Sequence, residues 1–235
     1  GIQADLKSIA ASGGYGMCAT TVLVAQNTQG VRSIFAPPTE FLQEQLAAVF
    51  DDVTVDAVKI GMLGDVETIT TVKTWLAEHP VPVVVLDPVM VASSGDRLIS
   101  QDAEQALREL VAQADVITPN IAELAVLCES NPALTLEEAY NQAAQLAGST
   151  GTIVIVKGGH LTGEDAGNSA VFPDGTHAHV AVARIQTKNT HGTGCSLSSS
   201  LATRLGLALV NGNNELNARV LTNALAWSTR WLNEA

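Results

Sequence analysis

Runs of apolar, β-branched residues recur along the chain, and stretches with helical periodicity separate them. Short runs of this kind are typical of strands buried on both faces of a parallel sheet. Between them, apolar residues return every three or four positions, which places them along one face of a helix. Alternating strands and helices predict a layered α/β fold with a central, mostly parallel sheet flanked by helices. We predict the strands at residues 20–24, 55–60, 83–86, 116–118 and 153–156.

The helical periodicity is clear between the second and third runs, where Val66, Ile69, Val72 and Leu76 form one apolar stripe. After Lys157 the pattern changes to two extended segments around a Pro-Asp-Gly turn at 173–175, which predicts a β-hairpin and an antiparallel edge. Two final helices are expected at 192–207 and 215–231. No repeat, linker or low-complexity tract appears, so we place no domain boundary.

Composition narrows the class of protein. The 235 residues are 46% hydrophobic and 15% charged, which predicts a compact chain with a large core. Twelve Lys and Arg against 24 Asp and Glu give a net charge of −12, which disfavours nucleic acid and anionic membranes as partners. Mean hydropathy is +0.21, yet no apolar run reaches the roughly 18–20 residues of a membrane span.

Three isolated cysteines, Cys18, Cys128 and Cys195, lack metal-binding or disulfide spacing, which favours a reducing, cytoplasmic setting. We expect Cys18, in an apolar strand, and Cys128, on an apolar helix face, to be small buried hydrophobes. Cys195 differs because it lies at the predicted start of a helix. There the helix dipole lowers the pKa of a thiol, so Cys195 could act as a base or a nucleophile.

The segment before Cys195 contains the most informative chemistry. Gly192 and Gly194 flank Thr193 and leave backbone N–H groups unhindered at the positive end of a helix, which suits phosphate. The spacing matches neither a Walker A loop nor a dinucleotide-binding loop. An ordinary glycine turn into a helix is the more common explanation of a bare Gly-x-Gly, so this motif alone does not decide the function.

Polar residues also follow three predicted strands, at the edge where open α/β sheets bind ligands. Asn120 and Glu123 open a helix and could organise a hydrated Mg²⁺ on phosphates, although a helix cap and its capping-box partner would look the same. Asp87 is a candidate acid for the metal, and the Lys-Gly-Gly turn at 157–159 suits phosphate. His160 and His191 are expected to be solvated, and no transition-metal site is predicted.

Seven segments follow one another in a recognisable order over essentially the whole chain. They are residues 1–7, 25–31, 59–63, 87–90, 118–120, 157–160 and 189–195. Together they resemble the hydroxymethylpyrimidine/phosphomethylpyrimidine kinases of thiamine biosynthesis, within the ribokinase-like superfamily. Seven collinear segments are far more specific than any one of them.

The resemblance implies a three-layer ribokinase-like fold, ATP with Mg²⁺, and two successive phosphorylations in one site. The hydroxymethyl oxygen of an aminopyrimidine is phosphorylated first, and the monophosphate then becomes a diphosphate. In the family's pattern Cys195 is the base, where most of the superfamily has Asp, and Gly192, Thr193 and Gly194 belong to the anion hole. Gln26 hydrogen-bonds the pyrimidine and Asp5 lies near its hydroxymethyl arm.

Other matching positions extend this assignment. Gly1 and Met62 fall in the segments expected to bind substrate, whereas Lys157, Gly159 and Thr190 fall in those expected to bind ATP, together with Asn120 and Glu123. Mg²⁺ is expected at Asp87 and Glu123, largely through water. The family usually has an apolar strand before Gly1 and an extension after the last helix. We therefore expect residues 1–235 to be a single kinase domain that lacks both and forms one module of a longer, fused protein.

The sequence leaves two alternative functions open. A pyridoxal kinase of the same superfamily can also have Cys at the base position, but the amide of Gln26 favours an aminopyrimidine because it can both donate and accept hydrogen bonds. A non-catalytic module that binds a phosphorylated metabolite is the other alternative. A homodimer that buries Trp227 and Trp231 of the last helix is also compatible with the sequence.

Overall fold

The computed structural model describes residues 1–27, 30–90, 97–187, 190–212 and 215–235. Its centre is a six-stranded sheet in which neighbours along the chain are also neighbours in space. The first four strands are parallel and the last two antiparallel, as the sequence predicts. The strands are β3 (Val58–Ile60), β4 (Val84–Leu86), β5 (Val116–Ile117), β6 (Ile153–Lys157), β7 (Asn168–Val171) and β8 (His177–Val180).

Helices cover both faces of this sheet and make three layers. Alternate residues of one strand point to opposite faces, so Leu86 packs in one apolar core and its neighbour Val85 in the other. Five helices lie on the first face: α2 (Thr39–Phe50), α3 (Val66–Glu78), α4 (Gln101–Val111), α5 (Ile121–Leu127) and α6 (Leu136–Thr150). The second face is covered by α7 (Thr193–Val210) and α8 (Ala218–Glu234), and α1 (Ile2–Ala11) packs on α7.

The sequence predicts a strand of the central sheet at residues 20–24, and this prediction is wrong about the sheet to which the strand belongs. Strand β1 begins at Leu23 and pairs antiparallel with β2 (Gly30–Phe35) in a separate two-stranded sheet, here called the flap. Leu23 is 52% exposed and Phe35 62%. The β-branched run reports the propensity for extended backbone, but it does not report whether anything covers the strand.

The two structural cysteines differ from each other. Cys18 is exposed and precedes the flap in an irregular segment, so its prediction as a buried strand residue is wrong. Cys128 is partly buried at the end of α5, where its thiol donates to the backbone carbonyl of Gln142 at 3.3 Å. Burial raises the pKa of Cys128 to about 11, which keeps this thiol protonated and unreactive.

The helix predictions agree closely with the structure. Ile69 and Val72 are buried in the core, whereas Val66, the first residue of α3, is 41% exposed. Helix α8 begins at Ala218, because the side chain of Asn217 caps it by accepting from the Val220 N–H. None of the helices in the described parts of the chain combines the length and apolarity that a membrane span requires.

Trp227 and Trp231 are partly covered within the chain itself. Their rings stack with centroids 6.0 Å apart, and the guanidinium of Arg204 lies 4.6 Å from the Trp227 ring centroid. Both rings remain half-buried. This packing accounts for their apolar surface in part, and the predicted homodimer stays a prediction.

Candidate active site

One cavity of about 1630 Å³ opens at the carboxyl ends of the parallel strands, between the central sheet, α1, α7 and the flap. All the residues that the sequence singled out for chemistry line it. They are Gly1, Asp5, Gln26, Met62, Asp87, Asn120, Glu123, Lys157, Gly159, Thr190, Gly192, Thr193, Gly194 and Cys195. Thr28, Gln29 and Asn189 of the family-like segments lie outside the described residues.

The glycine turn forms the start of α7. Gly192 caps the helix with φ +83°, a left-handed conformation that side chains strain to adopt, and the Thr193 hydroxyl donates to the Thr190 carbonyl at 3.0 Å. A Cβ on Gly194 would lie 3.6 Å from Lys157 Nζ, so the bare glycine lets this backbone approach the lysine. Gly192, Thr193 and Gly194 all line the cavity, and the Thr193 N–H donates to the Thr190 carbonyl at 3.4 Å.

Cys195 is the third residue of α7 and is half-buried in the cavity wall. Its Sγ lies 3.8 Å from the backbone nitrogen of Gly1. The α1 helix and the glycine turn therefore meet at this thiol, although they are separated by most of the chain. Cys195 is the cysteine for which position and partial exposure together suit chemistry.

Asp87 follows β4 and is 3% exposed. Its Oδ1 accepts from the Thr118 hydroxyl at 3.1 Å and lies 3.8 Å from Lys157 Nζ, and its Oδ2 accepts from the Ser198 hydroxyl at 3.3 Å. The carboxylate thus joins the ends of β4, β5 and β6 to α7. These contacts hold Lys157 at the polar end of the cavity.

Asn120 and Glu123 form a complete capping box at the start of α5. The Asn120 side chain accepts from the Glu123 N–H, and Glu123 Oε2 accepts from the Asn120 N–H, both at 2.8 Å. Glu123 Oε1 also accepts from the Met90 N–H at 3.3 Å. The capping interpretation is therefore confirmed, and it coexists with the position of both residues on the cavity wall.

Glu123 is unusual for a capping residue because it is 3% exposed. Burial raises its pKa to about 7, against the opposing effects of Lys157 and the hydrogen bond from Asn120. Within the described residues no three His, Cys, Asp or Glu side chains converge as a metal site. Asp87 and Glu123 are carboxylates that could each hold a water molecule of a hydrated Mg²⁺.

Lys59 is the site residue that the sequence reasoning missed. Its Nζ donates to Asp5 Oδ1 at 2.7 Å with 6% of the side chain exposed, and the Ser199 hydroxyl donates to the same oxygen at 2.7 Å. Burial favours a lower pKa for Lys59, but Cys195, Asp87 and Asp5 outweigh it and the pKa is raised. The available signal was a lysine inside the apolar strand at residues 55–60.

The flap side of the cavity carries the predicted substrate residues. Gln26 is exposed on β1, beside an irregularity in the strand pairing between Ala25 and Gln26. Met62 follows β3, and its carbonyl accepts from the Thr21 hydroxyl at 2.6 Å. His191 is exposed at the turn before α7, as expected of a solvated histidine.

Comparison with known proteins decides the family. The sequence model described as phosphomethylpyrimidine kinase matches residues 1–230. The chain belongs to this family. ATP is the phosphoryl donor that membership in a kinase family implies.

Two curated proteins are similar to this chain over most or all of its length. The chain is 58% identical over 235 residues to a thiamine biosynthesis multifunctional protein of Corynebacterium glutamicum, and it spans 30% of that protein's length. It is 44% identical over 203 residues to the hydroxymethylpyrimidine/phosphomethylpyrimidine kinase of Escherichia coli, which covers 86% of this chain and 76% of that protein.

Solved structures of two kinases share the fold. A phosphomethylpyrimidine kinase from Clostridium difficile superposes with a TM-score of 0.83 at 31% identity, covering 100% of this chain and 92% of the other. An ADP complex of Bacillus subtilis pyridoxal kinase gives a TM-score of 0.82 at 30% identity, covering 98% and 83%. The ribokinase-like fold expected from the sequence is confirmed.

Proposed function

We propose that this chain phosphorylates 4-amino-5-hydroxymethyl-2-methylpyrimidine and then phosphorylates the resulting monophosphate to the diphosphate, for thiamine biosynthesis. The observation that carries the proposal is that one cavity has two chemically different sides. One side has the glycine turn, Lys157 and Asp87, and the other has Gln26 and Met62 on and beside the flap. The first side suits a phosphate donor. The second suits a flat alcohol whose ring can hydrogen-bond with the side-chain amide of Gln26.

In the first reaction, the hydroxymethyl oxygen forms a bond to the γ-phosphorus of ATP, and the bond from that phosphorus to the β,γ-bridging oxygen breaks. The hydroxyl proton passes to Cys195 Sγ as the base, and ADP leaves with the bridging oxygen. In the second reaction a phosphate oxygen of the monophosphate is the nucleophile, so it needs no base of comparable strength. One cavity can serve both because only the acceptor oxygen changes.

Backbone amides of Gly192, Thr193 and Gly194 would hold the transferring phosphoryl group. A loose transition state spreads charge over the phosphoryl oxygens, so positioning and charge stabilisation contribute more than proton abstraction. Lys157 adds a positive charge beside Gly194, and Gly159 and Thr190 belong to the same side of the cavity. We assign these residues to ATP binding.

We further propose that Asn120, Glu123 and Asp87 organise Mg²⁺ on the nucleotide phosphates, largely through water. Carboxylate oxygens suit a hydrated hard cation because they accept hydrogen bonds from its water molecules. The hydrogen bonds that Asp87 and Glu123 already accept from protein groups fix their orientation. Mg²⁺ supplies charge neutralisation on the phosphates when bound. The residues of this chain hold its hydration shell and keep Lys157 in place.

The substrate side is assigned to four residues. Gln26 reads the pyrimidine edge through its amide, and Met62 and Gly1 line the ring. Asp5 lies near the hydroxymethyl arm, but its carboxylate is occupied by Lys59 and Ser199. Its proposed role is therefore to orient Lys59 near the acceptor oxygen as well as to contact the arm.

Pyridoxal kinase activity is the second candidate, because the Bacillus subtilis pyridoxal kinase shares the fold at a TM-score of 0.82. A coupled assay of ADP release with each alcohol separates the candidates. The proposal expects turnover with the aminopyrimidine and its monophosphate, and much slower turnover with pyridoxal. Absence of ADP release with all three alcohols would favour a non-catalytic binding module instead.

We propose that residues 1–235 form one kinase module of a longer, fused protein in which a preceding segment adds a strand beside β3. The support is that β3 is the edge of the six-stranded sheet and that the cavity extends along it, from Val53 to Met62. The three free cysteines favour a reducing compartment such as the cytoplasm. The assay above therefore uses the full-length protein.

A further inference from the structure

The guanidinium of Arg184 is surrounded by backbone carbonyls of one loop, residues 158–165. Its Nε donates to the Gly163 carbonyl at 2.6 Å, and Nη1 donates to the Gly159 carbonyl at 2.9 Å. Its Nη2 donates to the carbonyls of Leu161, Gly158 and Asp165 at 2.5, 3.4 and 3.4 Å. One side chain therefore binds five carbonyls of a single eight-residue loop.

This loop continues directly from β6 into the cavity wall. Lys157 is the last residue of β6, and both Lys157 and Gly159 line the side of the cavity assigned to phosphate. Apart from a short 3-10 turn at Gly158–His160 the loop has no helix or strand of its own. Its carbonyls have no regular hydrogen-bonding pattern to satisfy them, and Arg184 supplies the donors instead.

The backbone around Arg184 also runs along the loop. The Arg184 N–H donates to the Glu164 carbonyl at 2.7 Å, and the Ala166 N–H donates to the Val182 carbonyl at 2.9 Å. Arg184 precedes Thr190 of the glycine turn by six residues in the sequence. The arginine thus belongs to the segment that leads to one phosphate-binding element and bonds to the loop that forms another.

Charge pairing does not explain this arrangement. Within the described parts of the chain Arg184 forms no ion pair. The nearby Asp165 carboxylate instead accepts from His179 Nε2 at 2.5 Å and from the Gly167 and Val182 N–H groups. The guanidinium donates to carbonyl oxygens, so the arrangement of its N–H groups, and not only its charge, holds the loop.

We propose that Arg184 is a positioning residue for nucleotide binding, which holds loop 158–165 so that Lys157 and Gly159 keep their places at the phosphate side of the cavity. The inference rests on the proposed function, since it takes this side as the nucleotide site. A planar guanidinium offers five N–H donors in a fixed fork, whereas an ammonium offers three and no fork. Lysine at position 184 would keep the charge and lose the geometry.

The test compares Arg184→Met, Arg184→Lys and wild type in the full-length protein. Hydrogen exchange of residues 158–166 and calorimetric binding of ADP are measured for each, with steady-state kinetics where there is turnover. We expect both variants to lose exchange protection in the loop and to bind ADP about tenfold more weakly, since small misplacements of a binding group are costly. KM for ATP rises by a similar factor, while kcat at saturating ATP changes much less.

Arg108→Met is the matched control, because Arg108 also donates to a backbone carbonyl, that of Val126 at 2.8 Å, and does not line the active-site cavity. It is expected to lower Tm without changing ADP affinity. Wild-type ADP affinity in Arg184→Lys, or a protected loop in Arg184→Met, would overturn the proposal. If wild type binds ADP but does not phosphorylate the aminopyrimidine, the proposed substrate fails while the role of Arg184 is still decided by exchange and binding.

Discussion

Lys59 Nζ and Asp5 Oδ1 lie 2.7 Å apart in the wall of the candidate active-site cavity, with 6% and 19% of their side chains exposed. This pair joins the edge strand β3 to α1. The Ser199 hydroxyl on α7 donates to the same Asp5 oxygen, so three elements meet there. Removing either charge leaves the other desolvated and unpaired, which costs more than the pair itself contributes.

The first prediction follows from this pair. Lys59→Met and Asp5→Asn should each lose about 3 kcal/mol in the free energy of unfolding, and the double variant should lose less than the two losses added together. Urea denaturation of all four proteins gives the coupling free energy. The exposed pair Lys73–Glu109, 2.6 Å apart, is the control and should show a coupling below about 1 kcal/mol. Strictly additive losses for Lys59 and Asp5 would contradict the prediction.

The second prediction concerns Cys195. General-base assistance is worth roughly 10²–10⁴-fold, so Cys195→Ala should lose about that factor in kcat for the hydroxymethyl substrate and keep its ADP affinity. Cys195→Asp should keep part of the activity because a carboxylate can also take the proton. Steady-state kinetics and ADP binding measure both effects.

Alkylation provides the control for Cys195. Because Cys18 is exposed, labelling with iodoacetamide is done in a Cys18→Ser background, and the raised pKa of Cys128 keeps that thiol silent. Inactivation should follow modification of Cys195 and should slow when the pyrimidine is bound. Full activity after complete alkylation of Cys195 would remove it from the chemistry.

The third prediction concerns substrate recognition by the flap. Gln26→Leu should weaken binding of the aminopyrimidine by about 1–3 kcal/mol, since it leaves polar edges of the ring unpaired, and should not alter KM for ATP. Gln43→Leu, an exposed glutamine of α2, is the control. Kinetics with each substrate varied in turn make the measurement. Equal kcat/KM for the pyrimidine in Gln26→Leu and wild type would exclude Gln26 from the site.

The fourth prediction uses the pKa of Glu123, which burial raises to about 7 from 4.5. A carboxyl whose pKa is higher in the folded state contributes stability below its unfolded pKa and loses it as pH rises to the folded value. Wild type should therefore lose about 2–3 kcal/mol of stability from this group between pH 5 and 8. Glu123→Gln should lack this component, although it loses one backbone hydrogen bond at every pH.

Urea denaturation across that pH range checks the sign, with Glu138→Gln as the control, because Glu138 is an exposed residue at the same position of α6. A second measurement addresses the metal. If Glu123 orders water around Mg²⁺, Glu123→Gln should raise the Mg²⁺ concentration needed for half-maximal turnover. Unchanged pH dependence of stability in Glu123→Gln would show that the carboxyl is not held near neutrality.

The central sheet could be predicted because buried parallel strands are apolar on both faces, so Val83–Leu86 and Ile153–Val156 are visible without knowing their neighbours. The exposure of the flap could not be predicted, because Leu23 and Phe35 have strand propensity and residues of the same kinds occur in buried strands. Whether a strand is covered depends on tertiary packing, which the local sequence pattern does not report.

The site divides in the same way. Cys195 and its glycines are adjacent in sequence, so their common location could be predicted. Lys59 was missed because its partner Asp5 lies 54 positions away in the sequence, and a lysine within a strand gives no local sign of pairing. Glu123 is both helix cap and buried acid, and only its 3% exposure distinguishes an ordinary cap from one with a perturbed pKa.

The bond from Ser199 to Asp5 spans 194 positions of the chain. During vectorial synthesis the strands β3 to β6 emerge from the ribosome well before α7, whereas Asp5 and Lys59 wait for a partner made near the end. The strands of the central sheet are therefore synthesised before the glycine turn and Cys195, the proposed elements of phosphoryl transfer. Translation products that stop before residue 192 contain Asp5 and Lys59 but lack the glycine turn, so they cannot form this candidate site.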